Sequence, residues 1–551
     1  MTARRTVAPV ALIGLVALTA LLSIGPALDD AYIVYRYVVR FLNGNGLTFN
    51  DHEYVEGYTS LAWTLLLATA TFATGGQPHV VSVALNCVAI VLTAVSLNRL
   101  LRRLDVPEVG RYAALALLSV SFLYYRVVFI GLEFGLFALL LVAFFEQLFS
   151  GLGSEARRSR RALVAAGLLA GVVVATRPEA IVLLPAVCGA LWVLGRNRPA
   201  TSQLLLLAIP WLLVVAGILI WRRGYYGEWL PNSVIAKAAT LSSLHDAGRL
   251  IRGGVGYLLQ AYTQNPGLAL IVALVGVRAV LAPSGQRDAL LLLLPAAVAH
   301  AAVLPTGGDW MPYGRFVNAF TPMYVAAFFV SIGPWLRDQR RAAFGWIAVL
   351  AALYVPANLR HFEPTVTPVV GRFPGWMDLY RQAGEALGPL WVEGDILMAE
   401  SIGLLGYAAP HIYLHDPLAL TDRHLAHDPD AVRTVYGRRN WQYSLSLDPA
   451  VILLHHWPHQ RRWNVARASY PANYSFWLIP WTANEPFRCL YGIVRKDRLP
   501  VYAAGLRQLG GRNVDRDSVS FPCAAGRDAS PTPTAHSNPG RSPELLPTAK
   551  R

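Results

Sequence analysis

The chain has 551 residues, of which 54% are hydrophobic and 15% are charged, and its formal net charge is +15. Soluble domains usually carry about 25% charged residues, so this composition argues against a soluble globular protein. A strongly basic charge can indicate a nucleic-acid partner, but here the arginines gather between apolar runs, as the cytoplasmic loops of membrane proteins require. We therefore predict a multi-pass protein of the cell membrane with no nucleic-acid partner.

The first apolar stretch, residues 7–28, follows two arginines. It is longer than the apolar region of a signal peptide, and it is followed by Asp29 and Asp30 rather than by a small-residue cleavage site. It therefore predicts an uncleaved span with the N-terminus in the cytoplasm. The next apolar run, residues 60–74, is short and ends in two glycines, which predicts a helix lying on the outer surface of the membrane.

The later apolar runs predict further spans, which bring the total to about eleven. They cover approximately residues 80–98, 112–130, 134–150, 162–176, 179–195, 203–221, 266–284, 288–305, 317–336 and 342–358. The arginine clusters between them all agree with one orientation, and an odd number of spans leaves the chain after about residue 359 outside the cell. Residues 1–358 are thus predicted to form a transmembrane module.

The remainder of the chain has a different composition. Residues 359–510 alternate short apolar runs with helical patterns, which predicts an exported soluble α/β domain at the C-terminal end. Residues 511–551 are rich in Pro, Ser, Arg and Gly, which is typical of a disordered tail. If this part is exported, Cys489 and Cys523 could form a disulfide.

Polar residues concentrate in the loops on the predicted outer side. Two carboxylates, Asp29 and Asp30, follow the first span, and Arg36 and Arg40 lie one helical turn apart shortly after them. Further candidate site residues occupy the later outer loops: Glu56, Tyr58, Glu133, Arg177, Asn232, Lys237, Asp309 and Arg315. Because polar residues at a membrane face are costly, such a concentration indicates a functional site.

These residue types suit the transfer of a sugar from a lipid phosphate. A carboxylate can act as general base on a sugar hydroxyl, and arginines at headgroup depth can bind a phosphate in bidentate fashion. Other interpretations stay open at this stage. A single carboxylate after a span is often a solvated loop end, and Arg177 could simply anchor a helix at the lipid headgroups. Arginines on the outer side nevertheless run against the positive-inside bias, which favours a ligand for them.

A series of motifs occurs in a fixed order along the chain. They read DDAYIVYRY, NGNGLTFN and VEGYTSLAWTLLLA, then GLEFGLFALL, TRPEA, YYGEWLPNSVIAK and GGDWMPYGRF. Together they resemble the GT-C class of membrane glycosyltransferases, which use polyprenyl-phosphate sugars. Within that class they resemble the branch that includes the terminal beta-(1->2)-arabinofuranosyltransferases of actinobacterial cell-wall arabinan. The resemblance covers most of residues 20–430 and implies a GT-C-like fold.

The resemblance also implies an activity and roles for residues. Asp29 and Asp30 match the family's catalytic acidic position, and Glu133 matches a second acidic position. A polyprenyl-phosphate sugar, with a pentose such as arabinofuranose favoured, would place its phosphate against Arg36, Arg40 or Arg177. A cell-envelope glycan would be the acceptor, and membrane lipids would surround the module. A divalent cation between Asp29, Asp30 and Glu133 is compatible with this scheme but is not required by it.

Alternative functions remain open from the sequence. A protein O-mannosyltransferase or a lipopolysaccharide-modifying transferase would keep the fold and change the acceptor. A lipid or glycan transporter or flippase would place polar residues near mid-membrane and often shows two similar halves, whereas here they lie at the outer face and no internal repeat is visible. For residues 359–510 we predict acceptor recognition and no part in the chemistry. Their histidine and aspartate clusters, including His415 and Asp422, are interpreted as polar loop residues.

Overall fold

A computed structural model of the chain describes residues 2–152, 159–194, 199–237, 244–282, 285–363, 375–434, 436–456, 471–480 and 489–514. The N-terminal part is helical and the C-terminal part contains a mixed sheet flanked by helices. The predicted tail after residue 514 and the partner cysteine Cys523 lie outside the described residues, so the disulfide with Cys489 stays a prediction.

The helical part follows the apolar runs of the sequence closely. Its helices are α1 (Thr2–Leu21), α2 (Asp29–Leu42), α3 (Leu61–Thr74), α4 (Pro78–Arg103), α5 (Glu108–Ser119), α6 (Phe122–Val128), α7 (Phe134–Gly151), α8 (Arg160–Thr176), α9 (Leu183–Leu194), α10 (Thr201–Tyr226), α11 (Asn232–Lys237), α12 (Leu244–Gln264), α13 (Pro266–Leu281), α14 (Arg287–Val303), α15 (Arg315–Asn318), α16 (Thr321–Asp338) and α17 (Arg340–Leu359).

Several of these helices could cross a membrane. Within the described residues, 5 helices are long and apolar enough to span, or up to 7 if each of two bent helix pairs counts as one span. Three shorter apolar helices, Val7–Leu21, Leu61–Thr74 and Pro178–Leu194, fall below the length of a full span. The protein is thus a polytopic membrane protein, and the count of about eleven spans stays a prediction.

The predicted span over residues 112–130 was wrong as a single helix. The chain instead forms α5 and α6, with a break at Val120 and Ser121. Backbone groups near the break find side-chain partners, because the side chain of Asn358 accepts the N–H of Leu123 at 3.1 Å and the Tyr125 hydroxyl donates to the Leu118 carbonyl at 2.6 Å. Such partners are what permits a broken helix inside an apolar environment.

Helix α12 was not predicted from the sequence. Its apolar part, Gly248–Gln264, meets Pro266–Leu281 at an angle of 104°. Pro266 has no backbone N–H and disfavours helical geometry at Asn265, so the chain turns sharply there. The side-chain amide of Asn265 donates to the Asn318 side chain at 3.0 Å, which secures the corner against α15.

The C-terminal part is built around a six-stranded sheet with the strand order β2-β1-β5-β7-β6-β8. The strands of the C-terminal part, of which β3 and β4 lie outside this sheet, are β1 (Leu397–Ala399), β2 (Leu414–His415), β3 (Val432–Arg433), β4 (Arg438–Arg439), β5 (Val451–His456), β6 (Tyr474–Pro480), β7 (Cys489–Arg495) and β8 (Arg512–Val514). The helices are α18 (Gly375–Leu387), α19 (Gly403–Ala408), α20 (Arg423–His427), α21 (Trp441–Ser446) and α22 (Leu499–Gln508). Strand β1 pairs in parallel with β2 and β5, and the remaining pairs of the sheet are antiparallel.

One hydrophobic core runs through both parts of the chain. It joins buried residues of α2, such as Tyr35, to residues of α19, such as Leu404. Helix α19 lies directly against α2, where Gly403 and Gly406 allow close approach. Residues 403–423 of the C-terminal part pack against loops and helix ends of the helical part. The exported α/β domain over residues 359–510 stays a prediction.

Candidate active site

The two adjacent carboxylates at the start of α2 point in different directions. Successive helical residues are about 100° apart around the axis, so Asp29 shares a face with Arg36 and Arg40, whereas Asp30 lies on a neighbouring face. The face of Asp29 contacts the C-terminal part of the chain, whereas Asp30 is under the electrostatic influence of charged residues from other loops of the helical part. The sequence alone treats the pair as equivalent, and the structure separates their surroundings.

Asp29 binds the beginning of α19. Its carboxylate accepts the backbone N–H groups of Gly403 at 3.1 Å and Leu404 at 2.8 Å. These N–H groups have no partner within their own helix, so Asp29 takes the place of a capping side chain. Burial raises the pKa of Asp29 to about 7, and the two N–H donors act in the opposite direction. This carboxylate is therefore engaged in holding two parts of the fold together.

Arg36 and Arg40 also contact the C-terminal part of the chain. Arg36 is fully buried and donates to the backbone carbonyls of Phe49 and Ile412, each at 2.8 Å. Arg40 donates to the Pro410 carbonyl at 3.0 Å and forms an ion pair with Asp51. The other terminal nitrogen of Arg36 is buried without a partner among the described residues. The predicted role of these two arginines as donor phosphate ligands stays a prediction.

Asp30 faces a cluster of charged residues from other outer loops. Lys237 at the end of α11 and Arg315 at the start of α15 act on it as cations, and Asp309 acts as a nearby anion. Burial raises the pKa of Asp30 above the ordinary aspartate value, and the two cations oppose this shift. No residue that the structure describes forms a hydrogen bond or an ion pair with the Asp30 carboxylate, which leaves it available to a substrate.

Lys237 is the complementary group in this cluster. It is half-buried, and burial lowers the pKa of its ammonium group while Asp30 counteracts that effect. Within the described ranges, its ammonium group has no hydrogen-bond acceptor and no ion-pair partner at contact distance. The site thus combines a carboxylate and an ammonium group that influence each other electrostatically without being bound to each other.

The arginines of the cluster are held by carboxylates. Arg315 donates to both oxygens of Asp309, at 2.6 and 2.9 Å. Arg177 donates to Glu133 at 2.7 Å and to Glu179 at 2.6 Å. Paired carboxylates fix a guanidinium group in position, because the pairing is charge-assisted and directional.

Two phenyl rings place the arginines side by side. The guanidinium carbon of Arg177 lies 5.0 Å from the ring centres of both Phe134 and Phe316. That of Arg315 lies 5.8 and 5.3 Å from the same two rings. The shared cation–π contacts stabilise two positive groups in a mostly buried place. The described residues of this charged cluster are Asp30, Glu133, Arg177, Glu179, Lys237, Asp309 and Arg315.

Glu56, Tyr58 and Asn232, predicted as pocket residues, lie together beside the cluster. Glu56 forms a buried bidentate ion pair with Arg222, and the hydroxyl groups of Tyr58 and Tyr226 are 2.9 Å apart. The amide of Asn232 donates to the backbone carbonyls of Ala419 at 2.8 Å and Leu420 at 3.2 Å. These three residues connect loops to one another, and their predicted contact with a substrate stays a prediction.

Three residues that contribute to the site were not among the site residues predicted from the sequence. Arg222 lies in the last turn of a long apolar helix, where a charge needs a partner, and this position is the signal that could have identified it. Glu179 follows Arg177 closely in the chain and pairs with it. The hydroxyl of Tyr257 accepts the N–H of Phe316 at 3.1 Å and belongs to the unpredicted helix α12.

Known proteins resemble this chain in sequence and in fold. No protein-family model matches the sequence. Two curated relatives are both described as "Terminal beta-(1->2)-arabinofuranosyltransferase". The protein of Mycobacterium tuberculosis is 30% identical over 397 residues, 66% of this chain and 56% of the relative. That of Corynebacterium glutamicum is 26% identical over 430 residues, 68% of this chain and 58% of the relative. The chain therefore spans a little over half the length of these relatives.

Among solved structures, the archaeal oligosaccharyltransferase AglB from Archaeoglobus fulgidus, in complex with an inhibitory peptide and a dolichol-phosphate, superimposes with a TM-score of 0.51. The two sequences are 12% identical, and the match covers 88% of this chain and 74% of that protein. This chain has the GT-C fold. The resemblance inferred from the motifs is thereby confirmed in sequence similarity and in fold.

A metal site is not evident in this GT-C protein within the ranges that the structure describes. Those residues contain no group of three or more His, Cys, Asp or Glu side chains that could hold a metal ion. Of the residues considered for a divalent cation, Glu133 is paired with Arg177 and Asp29 binds two backbone N–H groups. Of these three residues, only Asp30 has a carboxylate that forms no hydrogen bond or ion pair with the described residues.

A hydrogen-bonded chain in the C-terminal part has the order of a hydrolase triad. The Ser444 hydroxyl lies 2.9 Å from Nε2 of His415, whose Nδ1 lies 3.2 Å from the Asp422 carboxylate. Ser444 is fully buried, so no substrate can reach its oxygen. These side chains connect β2, the N-cap of α20 and α21. His415 was predicted as a polar loop residue, whereas the structure places it buried in strand β2.

Proposed function

We propose that this chain is a membrane glycosyltransferase that moves a sugar from a polyprenyl-phosphate donor to a cell-envelope glycan on the outer face of the membrane. The single observation that carries the proposal is that Asp30, whose carboxylate is bonded to no described residue, lies within electrostatic reach of Lys237 and Arg315. An available carboxylate can accept a proton, and adjacent cations can receive a phosphate. The names of the two curated relatives favour arabinofuranose as the sugar.

In this reaction Asp30 acts as the general base. It takes the proton from an acceptor hydroxyl as that oxygen forms a bond to the anomeric carbon of the donor sugar. The bond from the anomeric carbon to the phosphate oxygen breaks at the same centre, through an oxocarbenium-like state. The leaving group is the polyprenyl phosphate, and its added negative charge is stabilised by Lys237 and Arg315, with Arg177 beside them.

The carboxylates Glu133, Glu179 and Asp309 are positioning residues in this proposal. Each is bound to an arginine at 2.6 to 2.9 Å and has no need to touch the substrate. They reduce the net positive charge of the site before the donor binds, and they fix the guanidinium groups in position for the leaving phosphate. Electrostatic groups that are fixed beforehand require no reorganisation during the reaction.

The direct test is a transfer assay with the purified full chain in nanodiscs and a panel of polyprenyl-phosphate sugars. Arabinofuranose, mannose and a 4-amino sugar would be offered with glycan, peptide and lipid A acceptors, which separates the envelope-glycan reaction from protein mannosylation and lipopolysaccharide modification. We expect transfer of the pentose to a glycan. Movement of an intact lipid-linked sugar across proteoliposomes without transfer to any acceptor would instead indicate a flippase.

Lys237→Gln is expected to raise the donor KM about tenfold to a hundredfold. The substitution removes a charge-assisted hydrogen bond to phosphate, which contributes about 1.5–3 kcal/mol. Lys496→Gln provides the matched control, because Lys496 is exposed in the short turn before α22 and should leave KM unchanged. The measurement is the donor concentration dependence of transfer at saturating acceptor. An unchanged KM in the Lys237 variant would remove this lysine from the phosphate site.

The proposed topology has the N-terminus in the cytoplasm and the C-terminal part outside. Arginine-rich loops between the apolar helices support this orientation. A reporter enzyme that is active only after export, fused after Arg360, should therefore be active, and the same reporter inserted after Leu152, at the end of α7, should be inactive. The opposite pattern of activities would reverse the proposed orientation and move the charged cluster to the cytoplasmic side.

A further inference from the structure

A short β-hairpin of the C-terminal part lies over the charged cluster. Strands β3 and β4 pair Val432 with Arg439 and Arg433 with Arg438. Gly437 in the turn fits closely against the rest of the domain, because a methyl carbon there would lie 2.0 Å from the carbonyl oxygen of Leu418. The N–H of Arg438 donates to the same carbonyl at 3.1 Å. The position of the hairpin is therefore fixed by the domain behind it.

Arg433 connects this hairpin to the residues around the active site. One of its terminal nitrogens donates to the backbone carbonyls of Lys237 at 2.7 Å and Pro305 at 3.3 Å. Its Nε and its other terminal nitrogen are buried and find no hydrogen-bond partner among the residues described. Arg433 therefore holds the hairpin beside Lys237, because one terminal nitrogen binds that backbone and its other nitrogens are buried.

Aromatic rings lie next to this arginine. Trp310, which directly follows Asp309 of the charged cluster, and Tyr436 of the hairpin have ring centres 5.8 Å apart at an angle of 50°. Tyr436 is 44% exposed, so one part of the aromatic pair is open to solvent. An exposed aromatic face beside hydrogen-bonding groups is the usual composition of a surface that stacks on a partly apolar ring.

The rim of this surface carries a carboxylate and a guanidinium group. Arg439 of β4 donates to Glu400 at 2.7 Å, and its guanidinium carbon lies 5.1 Å from the ring centre of Trp441. Glu400 and Arg439 both act electrostatically on the hydroxyl of Tyr436, which places them near its ring. We call Trp310, Tyr436 and Arg439 the hairpin platform.

We infer that the hairpin platform binds a neutral sugar ring of the acceptor glycan, next to the residue whose hydroxyl reacts. This inference rests on the proposed function and specifies which surface selects the acceptor. A sugar ring offers an apolar C–H face to Tyr436 and Trp310, and each hydroxyl both donates and accepts hydrogen bonds. The Arg439 side chain is 27% exposed at the rim, and its guanidinium group supplies donors for the sugar hydroxyls.

The test uses the full chain with arabinofuranosyl oligosaccharides of one to six residues as acceptors. Tyr436→Ala is compared with Tyr54→Ala, in which another outer tyrosine is removed. Tyr54 is 50% exposed and also pairs with a ring, that of Tyr225 at 5.2 Å. Three quantities are measured: the acceptor KM, the rate of donor hydrolysis by water without acceptor, and oligosaccharide binding by saturation-transfer NMR.

Tyr436→Ala should raise the acceptor KM at least about tenfold for oligosaccharides longer than one residue, whereas donor hydrolysis and single-sugar acceptors should change less than about twofold. Tyr436→Phe should restore the acceptor KM, because the ring is retained. Arg439→Gln should also raise the acceptor KM. Tyr54→Ala should behave as wild type.

An acceptor KM within twofold of wild type in both Tyr436→Ala and Arg439→Gln would overturn the platform. An equal loss of donor hydrolysis and transfer in Tyr436→Ala would do the same, because it would show damage to the catalytic cluster. If the wild-type chain neither hydrolyses nor transfers any donor sugar, the proposed function fails instead. In that case oligosaccharide binding by NMR that Tyr436→Ala abolishes would still support the platform as a glycan site, and its absence in wild type would refute it.

Discussion

Asp30→Asn is expected to lower the rate of sugar transfer roughly 100-fold or more while the protein still expresses and folds. Asn has the size of Asp but cannot accept the acceptor's proton at neutral pH. The carboxylate of Asp30 makes no hydrogen bond to the described residues, so its replacement breaks no contact within them. The assay is single-turnover transfer at saturating donor and acceptor, with thermal stability in detergent measured alongside.

Asp29→Asn is the matched control for this substitution. Asn keeps one acceptor oxygen for the N–H groups of Gly403 and Leu404 and loses the other, so a moderate loss of stability and a rate within about tenfold of wild type are expected. If instead Asp29→Asn abolishes transfer and Asp30→Asn does not, the base is Asp29. A small effect of both would place the base elsewhere.

The pH dependence separates the two carboxylates further. A general base is active when ionised, and burial raises the pKa of Asp30, so kcat/KM should increase with pH through a higher pKa than that of an exposed aspartate. For Asp29 the folded pKa of about 7 lies above the ordinary value, so its contribution to stability is present at low pH and is lost as pH rises through about 7. The stability of Asp29→Asn relative to wild type should therefore increase over that range.

Most members of the charged cluster could be predicted from the sequence. The sequence predicts Glu133, Arg177, Lys237, Asp309 and Arg315 as site residues because they lie between apolar runs on the predicted outer side, and the structure brings these loops together. The reasoning works because helices that span a bilayer place all of their outer loops in one plane. The apolar runs and the charge bias of the loops are therefore enough to predict that a residue lies in that plane.

The contacts of Arg36 and Arg40 could not be predicted in the same way. Their partners are carbonyls at Ile412 and Pro410, which are 376 and 370 residues away in the chain. Backbone carbonyls carry no sequence signal, so a pattern of residue types cannot indicate them. The hairpin of β3 and β4 was also invisible to periodicity, because each of its strands has only 2 residues.

Gly403→Ala is expected to separate α19 from α2 and to lower transfer at least about tenfold. A methyl carbon at this position would lie 1.9 Å from the carbonyl oxygen of Asp29, which is backbone and cannot move aside easily. Overpacking of this kind typically costs about 1–3 kcal/mol and shifts the elements concerned. The shift would reach Asp30 because it is the next residue of α2. Transfer rate, thermal stability and protease susceptibility of residues 375–514 are the measurements.

Gly345→Ala distinguishes this effect from a general effect of removing a glycine. Gly345 lies inside α17, where an added methyl carbon would meet nothing within 4 Å, so this variant should be as stable as wild type or slightly more stable. The comparison decides between two views of the C-terminal part. If it acts only as an independent acceptor-binding domain, Gly403→Ala should raise the acceptor KM and leave donor hydrolysis intact. If residues 403–423 support the charged cluster, as their bonds to Asp29, Arg36 and Asn232 indicate, donor hydrolysis should fall together with transfer.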